Sequence, residues 1–238
     1  MTKTQTRVNG YSLIELLVAT VLFTIIAGTV FSLLLSAQLR YRGESDVTGA
    51  FQQANVAIDQ ITRDVHSAGY PPANAFAAGV VSANPQLAAL PFSWSAGYPN
   101  TPCTVGGNCG AFPGDYDLIL ETDLGDGNGV QWIRYSLQGT TLMRGVTPKV
   151  AWADPVASTS GGVLLPYLDN VINESKSRRV FRYCYDGITD CPAATGLVSN
   201  IREVNVTLIV QSAQADPQTG QYRTITLTGQ AVRFNPNN

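Results

Sequence analysis

The sequence predicts an α+β protein in which one long N-terminal helix crosses a membrane with its first half and packs its second half on an antiparallel β-sheet. Three observations lead there. Residues 11–39 form an apolar run whose only charged side chain is Glu15. A helical apolar period then continues to Ala68, and beyond residue 116 the pattern changes to strands of period two separated by Gly-rich turns.

The anchor follows from length and charge. A polar leader, MTKTQTRVNG, carries Lys3 and Arg7 and no acid. From 13 to 39 a helix would rise about 40 Å, enough to cross a hydrocarbon core of about 30 Å. Lys3 and Arg7 should stay on the cytoplasmic side, which turns everything after Leu39 outward; Arg40 and Arg42 weigh against that bias. An ordinary secretory signal has an apolar core of only about 7–15 residues, so this run is too long to be one. Glu15 is costly near the end of such a helix, and less so at the interface than at the centre. Either it snorkels to the headgroups or it meets a partner.

Past the bilayer, Phe51, Ala54, Ile58, Ile61, Val65 and Ala68 follow one another at steps of three and four and predict one apolar stripe. Gln52, Gln53, Asn55, Asp59, Gln60, Arg63 and Asp64 are expected on the solvent face. Gly69, Pro71 and Pro72 should end the helix, and Gly28, Gly43 and Gly49 are places where it could bend or melt. His66 reads as a solvated helix residue, since no Cys or carboxylate accompanies it at ligand spacing.

Residues 73–114 are rich in Ala, Gly, Pro and Asn and read as a long irregular loop with exposed aromatics at Phe92, Trp94 and Tyr98. Strands are expected at 116–121, 131–137 and 141–144 as a meander, then at 180–185, 204–210 and 222–228, the last two joined by a long turn around Asp216-Pro217. The chain thus divides into a leader (1–10), a membrane helix (11–39), its outward continuation (40–69) and a β-rich domain (70–238).

Composition narrows the function classes. There are 15 basic and 17 acidic residues, the basic ones scattered along the chain, so nothing predicts the basic stripe of a nucleic-acid-binding protein. The four cysteines form two close pairs, Cys103 with Cys109 and Cys184 with Cys191. Local disulfides in an oxidising compartment fit that spacing better than zinc, because neither pair is C-x2-C. Each would close a loop of about six to eight residues, stabilising at the modest end of about 2–4 kcal/mol. No nucleophile–base, paired-carboxylate or phosphate-loop arrangement is present, so the chain is not expected to be an enzyme or to carry a cofactor. The run 123–129, with Asp123, Asp126, Asn128 and Gly129, looks like a calcium loop, but it lacks the full pattern and its Glu; hairpin-turn chemistry explains it at least as well.

Gly10-Tyr11-Ser12-Leu13-Ile14-Glu15 resembles the prepilin signature: a Gly, then an aromatic or apolar residue, with Glu five positions after the Gly. The resemblance implies that prepilin peptidase cuts between Gly10 and Tyr11 and methylates the new Tyr11 amine. It also implies that Glu15 meets the N-terminal amine of a neighbouring subunit and sets the stagger of a filament. Tyr11 replaces the more usual Phe, and Ser32 stands where family pilins often have a Pro. Cleavage removes Lys3 and Arg7, leaving 13 basic residues of the 15 against 17 acidic.

Residues 61–72, ITRDVHSAGYPP, are similar to the helix end of PilW-type minor pilins, with Arg63-Asp64 before an Ala68-Gly69-Tyr70 turn. That implies a type IV pilin-like fold and a minor pilin that primes pilus assembly and sits at the tip. Its implied partners are prepilin peptidase, other minor pilins, the major pilin, the inner-membrane assembly platform and the lipid bilayer. A type II secretion pseudopilin of the GspJ type shares the same signature, and related pseudopilins sometimes bind calcium. A pilus-tip adhesin or DNA-uptake subunit is the alternative of another class.

Overall fold

The computed structural model describes residues 12–93, 104–105, 114–160, 163–185, 196–197, 201–216 and 219–235. Helix α1 (Leu13–Ser67) is a single helix of 55 residues, about 80 Å long. It runs unbroken through Gly28, Gly43 and Gly49, so the helix does not melt at any of them. From Ser12 to Arg42 every residue is exposed; from Ala54 onward one side is buried.

Two main antiparallel sheets receive that buried side, in place of the single sheet expected. The first is a meander of β2 (Asp117–Asp123), β3 (Val130–Gln138) and β4 (Thr141–Pro148), extended by β5 (Leu165–Leu168). The second orders β6 (Phe181–Tyr185), β8 (Ile201–Gln211) and β9 (Thr224–Val232), with β8 central. A two-stranded pair joins β1 (Thr104–Val105) to β7 (Gly196–Leu197). Residues 170–172 link the two main sheets: Val171 N bonds Thr140 O at 2.8 Å and Ile172 N bonds Ile209 O at 2.8 Å. Asn173 completes the join by accepting from Ile209 N and donating to Thr207 O.

The six predicted strands all form, with ends shifted by a few residues. Strand β5 escaped prediction because Leu165-Pro166-Tyr167-Leu168 is short and contains a proline, which is tolerated only at an edge. Strand β3 is buried on both faces. Tyr135 points to α1, while Trp132 and Arg134 face a cover formed by residues 85–93 and 154–160. The second segment contains α3 (Pro155–Ser158) and the first follows α2 (Val80–Ala83), so 73–93 is an ordered strap, not an irregular loop. Phe92 is buried in the core and bridges Leu120, contrary to the exposure expected; Trp94 and Tyr98 lie outside the described residues. The strap also covers the otherwise open edge of β2, where Ser93 N bonds Ile119 O and Asp123 N bonds Tyr70 O.

Helix α1 docks mainly on β9 and β8. Approach is closest at Gly229, where an added Cβ would stand 2.4 Å from Ile58 Cγ2. Only glycine fits there. The buried stripe is Ala54, Ala57, Ile58, Ile61, Val65 and Ala68, so Phe51, which is largely exposed, does not belong to it. Asp64 does, and is buried, although it was expected on the solvent face.

Candidate functional site

The two halves of α1 carry the functional geometry. At the head of the exposed half, Glu15 sits three residues into the helix, and its Oε2 accepts a hydrogen bond from Ser12 N at 2.9 Å. This is the acidic half of a capping box, and it places a carboxylate at the positive end of the helix dipole. From Leu13 to Leu35 the other polar side chains satisfy themselves. Thr20, Thr24, Thr29 and Ser32 each donate to the carbonyl three residues back, at 2.7–2.9 Å. A helix in lipid needs such internal satisfaction. From Leu13 to Leu35 Glu15 is therefore the one side chain with charge to offer another molecule; the next charges are Arg40 and Arg42, where the apolar run ends. Gly10, Tyr11, Cys103, Cys109 and Cys191 lie outside the described residues. Cys184 is described, is not free, and has Asn205 Nδ2 3.1 Å from its Sγ.

Leu13, Phe23, Ile26, Phe31 and Leu33 are each more than half exposed, spread around the helix, and no part of the apolar window is buried. Such a surface is stable only in lipid or against other apolar helices.

At the other end, α1 is locked to the domain by a buried polar cluster. Asp64 Oδ2 accepts from Tyr135 Oη at 2.5 Å and from Arg144 Nη2 at 2.9 Å; its Oδ1 accepts from Gln60 Nε2 at 2.8 Å. Arg144 Nε also donates to Tyr135 Oη at 2.9 Å. Burial first, and then the Asp64 carboxylate, push the Tyr135 phenol far above its ordinary range, so it stays a neutral donor. The helix C-terminus is capped from two sides. Thr122 Oγ1 donates to Ser67 O, and Asn235 Nδ2 donates to both Ser67 O and Ala68 O. Gly69 then turns the chain at φ 83° and donates its N–H to Glu121 O at 2.8 Å. His66 is half-buried, its ring 4.4 Å from that of Phe234, so it packs and is not simply solvated.

A second buried pair fixes the strap beside this turn. Lys149 Nζ bonds the Glu121 carboxylate and Ala88 O, while Glu121 also accepts from Leu90 N and Trp132 Nε1. Burial holds the Lys149 ammonium below its ordinary value, and Glu121 pulls it part of the way back. Sequence reasoning missed both pairs. The signal for Asp64 was present: it stands three residues after Ile61 and four before Ala68, on the apolar stripe itself.

In the 123–129 loop, Asp123 Oδ1 accepts from Gly125 N, and Asp126 accepts from Asn128 and Gln131. Gly125, Gly127 and Gly129 all have positive φ, as hairpin turns require. Among the described residues no group of three or more His, Cys, Asp or Glu side chains is placed to hold a metal. The basic residues are less scattered than composition suggested. Arg178, Arg179 and Arg182 line one cleft of about 600 Å³ on the outer face of β8 and β9, with Arg179 paired to Asp115 at 3.1 Å.

A family model for the prokaryotic N-terminal methylation motif matches residues 5–31, spanning the leader, Gly10, Tyr11 and Glu15. No curated protein and no solved structure matches the chain. The motif implies a precursor that prepilin peptidase processes and that assembles with other pilins, and the apolar helix following it is consistent with an inner-membrane anchor. With a long helix packed on antiparallel sheets behind it, the chain carries the N-terminal motif that marks type IV prepilin-like proteins, which supports a pilin or pseudopilin precursor.

Proposed function

We propose that the protein is a minor pilin of the PilW type, which helps to prime a type IV pilus and sits at its tip. It works by assembly and not by catalysis. Cleavage after Gly10 frees the Tyr11 amine, the membrane helix stays in the inner membrane, and the β-rich domain faces outward. Extraction from the bilayer then transfers the exposed apolar half of α1 from lipid to the helices of other minor pilins and the major pilin, through the assembly platform. Glu15 pairs with the amine of a neighbouring subunit during that transfer, and disulfides at Cys103–Cys109 and Cys184–Cys191 brace the outward domain.

The observation that carries this reading is the state of Glu15. Its carboxylate is exposed and engaged only by the Ser12 N–H of its own helix end, on a helix surface that carries no other charge from Leu13 to Leu35. A stronger cationic partner can take it at little cost, because a charge-assisted pair is stronger than a bond to a neutral amide. The minor-subunit assignment draws on Arg63-Asp64 and Ala68-Gly69-Tyr70, the positions of the resemblance, where Asp64 and Gly69 bind helix to domain.

Glu15→Lys is expected to leave the protein membrane-inserted and cleaved while abolishing its entry into filaments; normal incorporation of that variant would sink the proposal. Gly10→Val should leave the precursor uncut, read as a higher mass. Deleting the gene and counting surface pili and secreted enzymes in the same cells separates pilus from secretion system: lost pili with intact secretion is expected here.

A further inference from the structure

We infer that the β8–β9 hairpin is a membrane-surface contact: before assembly, its tip and the adjoining turn of α1 bind phospholipid headgroups of the outer leaflet, holding the domain tipped onto the bilayer. This rests on the anchor reading above. The hairpin does not stand at the top of the domain; it runs back down α1. Asp216 and Arg223, at its tip, line a cleft of about 240 Å³ with Leu39, Arg40, Gly43 and Glu44, the place where the apolar run ends. From Leu39 to Glu44 the helix rises about 7.5 Å at 1.5 Å per residue. A headgroup layer is about 5–8 Å thick on each side of the hydrocarbon. Hairpin and headgroups therefore occupy the same depth.

The side chains suit that layer. Tyr41 is 75% exposed and Tyr222 is 54% exposed, and tyrosine is enriched at membrane–water interfaces because its ring is apolar and its hydroxyl polar. Arg40, Arg42 and the half-exposed Arg223 are available to phosphate oxygens. Asp216 fixes the Arg223 guanidinium through Nε at 3.1 Å and Nη2 at 2.6 Å. The acids at this level are Glu44 and Asp216, with Asp46 further from the bilayer, so cations outnumber acids at headgroup depth. This gives Arg40 and Arg42 a role, where by the charge rule alone they lie on the wrong side of the membrane.

Length favours the same arrangement. Between Leu16 and Leu39 the apolar helix would measure about 36 Å, longer than a hydrocarbon core of about 30 Å. Such excess is taken up by tilting, and the direction of tilt is set by interfacial Tyr and Arg anchors. Tilting toward the hairpin brings Tyr222 and Arg223 down to the surface.

The test uses the full-length chain in nanodiscs of phosphatidylethanolamine and phosphatidylglycerol, labelled with 3-fluorotyrosine and read by fluorine NMR. Tyr41, Tyr167 and Tyr222 are assigned by single replacement with Phe. Adding a lipid with a nitroxide on its headgroup should erase most of the Tyr41 and Tyr222 signals and spare Tyr167. If Tyr41 is erased while Tyr222 stays as sharp as Tyr167, the anchor exits as described but the hairpin stands clear, and the inference fails alone. If neither is erased, the helix does not leave the bilayer at Leu39, and the anchor reading fails with it.

Discussion

The two halves of α1 are one unbroken helix under opposite physical rules. In the exposed half, large apolar side chains are exposed on every side, hydroxyls from Thr20 to Ser32 bond their own backbone, and a lone carboxylate caps the end. In the docked half, small and β-branched residues are buried on one side only, and a carboxylate is paired inside the protein. The difference lies in what the surroundings supply. Glu15 bonds only the Ser12 N–H of its own helix end, whereas Asp64 finds Tyr135, Arg144 and Gln60 in its own domain. The first half thus leaves its surface open and the second closes its own within the domain.

Asp64→Ala should break the contrast most strongly. It removes the acceptor shared by Tyr135 and Arg144, and breaking a buried pair from one side costs about 3–5 kcal/mol. Arg144 remains partly solvated, with 23% of its side chain exposed, which sets the loss near the low end, about 3 kcal/mol. Urea unfolding of the full chain in detergent micelles, followed by near-UV circular dichroism, measures it. Leu17→Ala, in the exposed half, should change that same transition by less than about 0.5 kcal/mol. Equal effects from the two would end the distinction between the halves.

Gly229→Val tests how closely the docked half must sit. Overpacking against Ile58 should destabilise by about 1–3 kcal/mol. Pairing it with Ile58→Ala should recover part of the loss, because touching residues are not additive. A purely additive double mutant would place the contact elsewhere.

The smallest effect concerns Asp117, away from α1. Burial raises its carboxyl above the ordinary 3.8, against the pull of Arg134 at 2.9 Å. Between the ordinary value and the raised one, the folded chain keeps a proton that the unfolded chain has lost. Fewer protons on the unfolded state mean that this group's contribution to stability falls as pH rises through the window. Measured upward from about pH 4, the stability of the wild type relative to Asp117→Asn should therefore decline. A rising difference would show that Arg134 outweighs burial.

Much of the fold was legible because the signals that encode it are local. The helix could be read from its apolar period and its end from Gly69, whose φ of 83° a side chain would oppose. All six predicted strands formed, since alternation and turn residues act over a few positions. Phe92 and the strap were misread, because Ala- and Pro-rich composition is silent on whether a sheet edge stands nearby to be covered. Asp64 was misplaced by a rule that puts charge outside, and the rule fails when a partner 80 positions away enters the same pocket.

The sequence by itself determined that this protein has a prepilin-type signal, an apolar helix long enough to span a bilayer with one ionisable residue, Glu15, and an α+β plan. These are properties of contiguous residues and need no partner from elsewhere in the chain. Tertiary structure alone decided that there are two linked sheets, that Asp64 and Glu121 are buried and paired, that helix and sheet meet at Gly229, and that Arg223 comes to lie beside Arg40. Each of these joins residues far apart in sequence, and whether a buried charge or a missing side chain stabilises depends on what the fold places opposite it.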